Sequence, residues 1–427
     1  MTTLAFPGFG YAGRQTLRVQ PGPALLDGVL AGPGLAEHRR RHGRPMQPGI
    51  DELRALVESV GLRGRGGSGF PFATKLGAVA DQPGRATVVV NLSEGEPASF
   101  KDAALAMAAP HVVLDGADAT ARALGVRVVH LVVPGDEPSV VDAVRRAVAE
   151  RRQEDRRIRW RLHIAAGRFV AGQARAVLEL MSGRENLPVT AWQPEALRGY
   201  RNRPTLLSNA ETYAQVGALL TRGEVAYTGL GLADSPGTTL LTLRGDTATP
   251  SVVEVPHGTT WGSVLGDDVD RPVLLGGFHG VWVREGGLAD LSVDREAMTA
   301  HGLTLGAGVV LPLHPGACPL RRTGAIVDYL AGQSAGRCGP CLNGLPALAR
   351  AVHELDRGLP SRARAEQLVG LVVRRGACAH PDGTARLVSS LLAAFPEEHL
   401  AHARGWCTFA GAGEPARGHG NIVGAVR

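Results

Sequence analysis

Between residues 85 and 181, short apolar runs and amphipathic stretches take turns along the chain. "RATVVVNLSE", "VRVVHLVVPG" and "IRWRLHIAAG" are rich in β-branched residues and end on glycine or polar residues, as strands do. "PHVVLDGADATARALG", "PSVVDAVRRAVAERR" and "AGQARAVLELMSG" place apolar residues every three or four positions, as helices packed on one side do. Parallel strands need a crossover connection, and a helix supplies it. The alternation therefore predicts an α/β fold with a mostly parallel sheet and helices packed on it.

Just upstream, "GLRGRGGSGFPFATKL" packs five glycines, two arginines and one lysine into residues 61–76. An ordinary turn needs one or two glycines. A run of this density lets the backbone approach a ligand and aim several N–H groups at it. Gly64, Gly66, Gly67 and Gly69 are candidates to meet an anionic phosphate, with Lys75 adding a compact charge. Lys75 and Lys101 are the only lysines among 46 basic residues, so these positions read as sites that need an ammonium rather than a planar fork.

The remaining organisation is plainer. Residues 1–60 read as a loose arm followed by the helix "IDELRALVESVG". Residues 184–235 are irregular, with "RNRPTLLSNAETYAQVG" as a loop entering a helix, and a small α+β module follows to about residue 315. From "RRTGAIVDYLAG" onward the pattern is helical, with Ser361 as a candidate N-cap. With 427 residues, 44% of them hydrophobic and 20% charged, the chain can bury a large core. It holds no apolar run of membrane-spanning length and opens without a secretory pattern, so a cytoplasmic location is expected. The formal net charge is +6, but the arginine runs lack interleaved aromatics, which argues against nucleic acid.

Four of the five cysteines, Cys338, Cys341, Cys378 and Cys407, fall in the last ninety residues, with Cys318 just upstream. In a reducing compartment such clustering points to metal or redox chemistry. "GRCGPC" is a C-x-x-C, which suits two thiolates on one metal. A thioredoxin-like pair lacks its βαβ context here, and a zinc knuckle lacks its second C-x-x-C. Cys378 can supply a third thiolate. His353 and His399 read as surface or boundary residues, and Cys407 has no assigned role.

Five motifs now stand in one order: "GLRGRGGSGFP" with its lysine, "NLSEGEPASFKD", "RPTLLSNAET", "QSAGRCGPCLNG" and "GACAHPDG". In that order and spacing they resemble the flavin- and NADH-binding subunit of respiratory complex I and the diaphorase subunits of NAD-linked hydrogenases and formate dehydrogenases. The resemblance runs from about residue 45 to 400. It implies an N-terminal arm and helix (1–60), a Rossmann-like domain for flavin mononucleotide, FMN (61–230), and a small SLBB-like β-grasp module (235–318). It further implies a helical bundle holding an iron–sulfur cluster (319–400) and a tail (401–427). In such proteins the flavin takes hydride from NADH and passes electrons singly to a [4Fe–4S] cluster. Carried over residue by residue, the flavin-binding positions are Gly64, Arg65, Gly66, Gly67, Gly69, Lys75, Asn91, Ser93, Gly172, Gln173, Ser208 and Asn209. Phe70 lines the dinucleotide cleft, Glu94 lies near the flavin and Glu96 near the nicotinamide ribose, and Cys338, Cys341 and Cys378 hold the cluster. The expected partner is an iron–sulfur electron-transfer protein of ferredoxin-like or thioredoxin fold, in a soluble or peripheral membrane complex.

Three departures mark a divergent member. Ala335 stands where the family's first cluster cysteine belongs, leaving three thiolates, so three outcomes stay open: a [4Fe–4S] cluster with a substitute ligand, a [3Fe–4S] cluster, or no assembly. Cys318, Cys407, His380 or solvent are the candidate substitutes, although an expected helix of about 20 Å separates Cys318 from the gap. The family's "GEET" is "GQAR" here, residues 172–175, and the aspartate of its "NADE" is Ser93. Losing three carboxylates and gaining Arg175 makes the expected cleft more positive, which favours an anionic reduced flavin. Two other readings therefore stay open: a ferredoxin-linked flavoprotein adaptor that does not oxidise NADH, and a structural subunit that retains only the fold.

Overall fold

The computed structural model of the chain describes residues 4–9, 15–244 and 249–409. Its strands are β1 (Leu4–Phe9), β2 (Gln15–Val19), β3 (Thr87–Asn91), β4 (Val128–Pro134), β5 (Arg159–Ala165), β6 (Thr205–Asn209), β7 (Thr238–Leu243), β8 (Ser251–Pro256), β9 (Val273–Leu275), β10 (Val281–Val283) and β11 (Val309–Pro312).

Four of them form one all-parallel sheet in the order β5-β4-β3-β6. The valines of β3 show how it is held. Val88 and Val90 enter a core shared with the helices Lys101–Ala108, Pro110–Ala123, Pro138–Glu154 and Ala210–Arg222. Val89 faces the other way, onto Val177, Leu178 and Met181 of the helix Ala174–Met181. Both faces are covered, so the strand reads as an unbroken apolar run. Two of the covering helices, Pro110–Ala123 and Ala210–Arg222, touch backbone to backbone. A Cβ on Gly116 would collide with the Tyr213 carbonyl, and one on Gly217 with the Val112 carbonyl.

From β3 the chain steps outward to β4 and β5, then returns across β3 to lay down β6. The neighbouring carboxyl ends of β3 and β6 are followed by helices on one face of the sheet, whose first turns, at Lys101 and Glu211, border a crevice. Asn91 and Asn209 end these strands and are paired in register.

The second sheet has seven strands in the order β1-β2-β8-β7-β11-β9-β10. It is larger than the segment after residue 235 supplies, because the N-terminal stretch expected as a loose arm contributes a hairpin. In that hairpin β2 runs parallel to β8, with Arg18 opposite Ser251 and Val19 opposite Val252. Leu240 packs with Leu17 and Val19 toward the first core, while Leu241 packs with Trp261, Leu275 and Val310 on the opposite face. The N-terminal region is fastened again by Asp115, whose buried carboxylate accepts hydrogen bonds from Arg39 and Arg151 and pairs with His38.

The helices Pro319–Gly332, Leu345–Asp356, Arg362–Val372, His380–Ala394 and Glu398–Ala403 make a third layer. Leu348, Val352 and Leu355 of the second, at helical spacing, meet Ile326 and Val327 of the first and Leu387, Val388 and Leu391 of the fourth. Ser361 precedes the Arg362 helix but does not cap it with its side chain; its hydroxyl donates to Glu354 instead. The tail beyond residue 409 lies outside the described residues, and no described helix is long and apolar enough to cross a membrane.

Candidate functional site

The glycine-rich loop lies against the crevice between β3 and β6. Its Arg65 amide donates to Thr212 Oγ1 (2.9 Å), and a Cβ on Gly66 would stand 4.0 Å from the Asn209 side chain with nothing nearer. Gly64 N closes the loop on the Phe70 carbonyl (2.8 Å), and Gly67 and Gly69 take φ of 93° and 61°, conformations that favour glycine. Among the described residues, the amides of Gly66, Gly67, Ser68 and Gly69 donate to no protein acceptor. Behind the loop, Arg63, Arg65, His257 and Arg295 line a cleft. Burial, with Arg65 and Arg63 close by, holds the Arg295 guanidinium below its ordinary range. Burial and Arg65 push His257 down to about 3, so this imidazole is neutral and accepts from Arg65 Nη1 (2.9 Å). Four uncommitted amides beside crowded guanidiniums are the donor set that a phosphate monoester calls for, and FMN fits it.

Both lysines are committed within the protein. Lys75 Nζ donates to the Leu207 carbonyl (2.7 Å) in the middle of β6 and pairs with Glu195 (3.0 Å). Lys101 Nζ donates to the Arg65 carbonyl (2.7 Å) and to buried Glu211, which fixes the loop from below. Each compact ammonium thus braces a main-chain carbonyl of the crevice.

Asn91 is the hub. Its Nδ2 donates to the Gly172 carbonyl (2.7 Å) and its Oδ1 accepts from the Ser93 amide (3.0 Å). Gly172 has no room for a side chain, because a Cβ would strike the Ser93 carbonyl. Gln173 follows directly, with its side chain beside Cys378. Asn209 caps the Ala210–Arg222 helix by accepting from Thr212 N (3.2 Å) and Thr212 Oγ1 (2.5 Å), with buried Ser208 beside it. The structure therefore brings Gly64–Gly67, Asn91, Ser93, Gly172, Gln173, Ser208 and Asn209 to one crevice.

Four other expected positions are used differently. Glu94 caps the Lys101–Ala108 helix, accepting from Lys101 N (3.0 Å), Asp102 N (3.2 Å), Ala103 N (3.3 Å) and the Ser99 hydroxyl. Glu96 accepts from Phe278 N (2.8 Å) and Ala98 N (3.2 Å), which ties β3 to the second sheet, and burial pushes its carboxyl up to about 8. Phe70 is exposed at the loop's edge, packed into neither core. Arg175 bonds to the Gln193 and Arg198 carbonyls, and against the effect of burial its charge joins that of Lys75 in holding the Glu195 carboxyl below its ordinary range.

Cys338 and Cys341 flank the start of a π-helical turn, Pro340–Gly344. The three thiols feel one another: burial, with Cys338 and Cys378 nearby, pushes the Cys341 thiol up to about 11. A set of three neighbouring thiols fits a cluster held by three protein ligands. Ala335 packs against the helical core. None of the expected protein substitutes reaches it. His380 is engaged by the Leu330 carbonyl (2.8 Å) and His279 (3.1 Å), while Cys318 and Cys407 interact with each other.

Thr212, Glu195 and Glu211 complete the crevice and had not been singled out. The "SNAET" run carried the signal for Thr212, as a polar residue three positions after an N-cap.

Residues 57–218 match the family model described as the Nuo51 FMN-binding domain, and residues 322–402 match the NADH-ubiquinone oxidoreductase-F iron-sulfur binding region. The F 2 subunit of the NADH-quinone oxidoreductase of Rhizobium meliloti (strain 1021) is 28% identical over 404 residues, covering 90% of this chain and 95% of that protein. The NADP-reducing hydrogenase subunit HndC of Solidesulfovibrio fructosivorans is 26% identical and covers 82% of this chain and 76% of its own. The air-oxidized NAD+-reducing [NiFe]-hydrogenase contains a chain with a TM-score of 0.77 at 25% identity, covering 90% of this chain and 67% of that one.

Proposed function

Because the chain belongs to the family of FMN- and iron–sulfur-binding subunits of NADH-quinone oxidoreductases and NAD-linked hydrogenases, we propose that it works as a flavoprotein oxidoreductase subunit that takes electrons from NADH and delivers them to an iron–sulfur partner. In our reading residues 61–230 form the FMN domain, 235–318 an SLBB-like β-grasp module and 319–400 the iron–sulfur bundle. Bound FMN supplies the conversion between a two-electron hydride and single electrons. The Gly66–Gly69 amides would hold its phosphate. Asn91, Gly172 and Asn209 would border its ring at the strand ends, and Cys338, Cys341 and Cys378 would hold the cluster.

The observation that carries this reading is the run Asn91–Gly172–Gln173–Cys378. One residue after the carbonyl that Asn91 holds, the Gln173 side chain lies beside Cys378. In this reading the entry and exit points for electrons lie on either side of residues 172 and 173.

A second reading, exchange with a reduced ferredoxin in place of NADH, is favoured by Gln173 and Ala174, neutral where the family carries two acids, and by the net charge of +6, which suits an acidic partner. The test is optical. Protein purified under gentle conditions should show a flavin spectrum that NADH bleaches. Bleaching by reduced ferredoxin alone would transfer the role to the second reading. Colourless protein that takes up no added FMN would overturn both.

A further inference from the structure

Away from the three cluster thiols, four ligand-type side chains converge. We propose that Cys318, Glu398, His402 and Cys407 form a closed structural zinc(II) site.

Their ligand atoms all lie within 4.8 Å of one another, and all four residues are buried. Cys318 Sγ stands 3.4 Å from His402 Nε2 and 3.8 Å from Glu398 Oε1. The same oxygen is 3.0 Å from His402 Nε2 and 2.9 Å from Cys407 Sγ. A zinc tetrahedron built from ordinary Zn–S, Zn–N and Zn–O bonds has edges of about 3.3–3.8 Å. The two Cys318 separations fall in that range, and the two shorter ones at Glu398 Oε1 would lengthen by about half an ångström to receive one ion.

The surrounding shell is arranged for the same task. His402 Nδ1 lies 2.6 Å from the Asp356 carbonyl, which takes its N–H and leaves the Nε2 lone pair facing the cluster. Thr408 donates both its amide and its hydroxyl to Glu398 Oε2, leaving Oε1 for the metal. Two thiolates with an imidazole select zinc over the hard cations, and four protein ligands close the site to substrate. Glu398 is fully buried, with Thr408 on Oε2 and only the two thiols and the imidazole around Oε1.

Placement explains what the ion would do. Cys318 begins the Pro319–Gly332 helix six residues after β11 ends, while Cys407 follows the final helix. One ion would tie the junction between the second sheet and the helical layer to the C-terminal segment. The length of that helix, about 21 Å, separates this site from Ala335, so it is independent of the iron–sulfur thiols.

The experiment uses full-length, tag-free protein from zinc-supplemented cells, purified without chelator. Elemental analysis should find one zinc per chain in wild type and in a Cys338→Ser/Cys341→Ser variant, and none in Cys318→Ser/Cys407→Ser. Cobalt(II) exchanged into wild type should give sulfur-to-cobalt charge transfer and the intense visible bands of a tetrahedral complex. That reading requires no variant to fold. Zinc-free wild type, zinc retained by Cys318→Ser/Cys407→Ser, or a wild-type mass two hydrogens short, marking a disulfide, would each overturn the proposal.

Discussion

A methyl group added at Gly66 would separate the two roles a glycine in this loop can have. Its backbone avoids the left-handed region, and the added carbon meets no protein atom nearer than 4.0 Å. Gly66→Ala should fold with stability within about 0.5 kcal/mol of wild type by urea titration. It should nonetheless bind FMN about tenfold more weakly or worse, because the new carbon occupies the space beside Asn209. Undiminished flavin affinity would place the cofactor elsewhere. Ala335→Cys probes the other end of the route. A fourth thiolate added to Cys338, Cys341 and Cys378 should raise the iron and acid-labile sulfide retained per chain, and an unchanged content would show that position 335 does not face the cluster. Sequence made Asn91, Gly172 and the three thiols legible because motif spacing survives divergence. It could not show that Glu94 would be consumed as a helix cap, since a carboxylate in a loop looks the same whether it meets a ligand or four protein donors. Glu398 and His402, four residues apart on one helix, were missed because the cysteines that complete their cluster lie far off in the chain.

The elements meet most closely where the Pro110–Ala123 and Ala210–Arg222 helices cross. Gly217→Ala forces a carbon into the Val112 carbonyl, so the helices must part, at about 1–3 kcal/mol of stability or more. Gly370, in the helix Arg362–Val372, has no atom within 4 Å of its would-be Cβ. Gly370→Ala should instead stabilise the chain by about 0.5–1 kcal/mol through lost unfolded-state freedom. Paired urea titrations with opposite signs check both. Strands β3 and β4 were readable because buried parallel strands write themselves as valine-rich runs, and edge strand β5 because its charged and apolar residues alternate. Strand β2 was not, since a five-residue segment gains its identity from a neighbour that lies far along the sequence.

For the molecule as a whole, acid should be the weakness. Burial is the first cause in pushing His111 down to about 2, His130 to about 4 and His257 to about 3, and it holds His279 well below its ordinary 6.5. These imidazoles stay neutral in the folded state while the unfolded chain takes up protons below about pH 6.5. The unfolded state then binds more protons, so stability is complete above that pH and falls as acid is added. Each histidine contributes up to about 1.4 kcal/mol per pH unit until its own folded value is reached. Thermal melting should hold steady from pH 8 to 7 and drop steeply between pH 6 and 5. A flat profile across that interval would mean that the four rings are solvated.

The pairing of β2 with β8 also bears on how the chain is made. A ribosome delivers residues 15–19 long before residues 251–252, their partners, exist. The parallel sheet of β3 to β6, by contrast, is fully synthesised by residue 209. At that point the glycine-rich loop, Asn91 and Asn209 are all made, while strand β2 still presents an unpaired edge. Strand β2 is therefore made early and placed late, and a chaperone guarding this nascent chain would have that edge to cover.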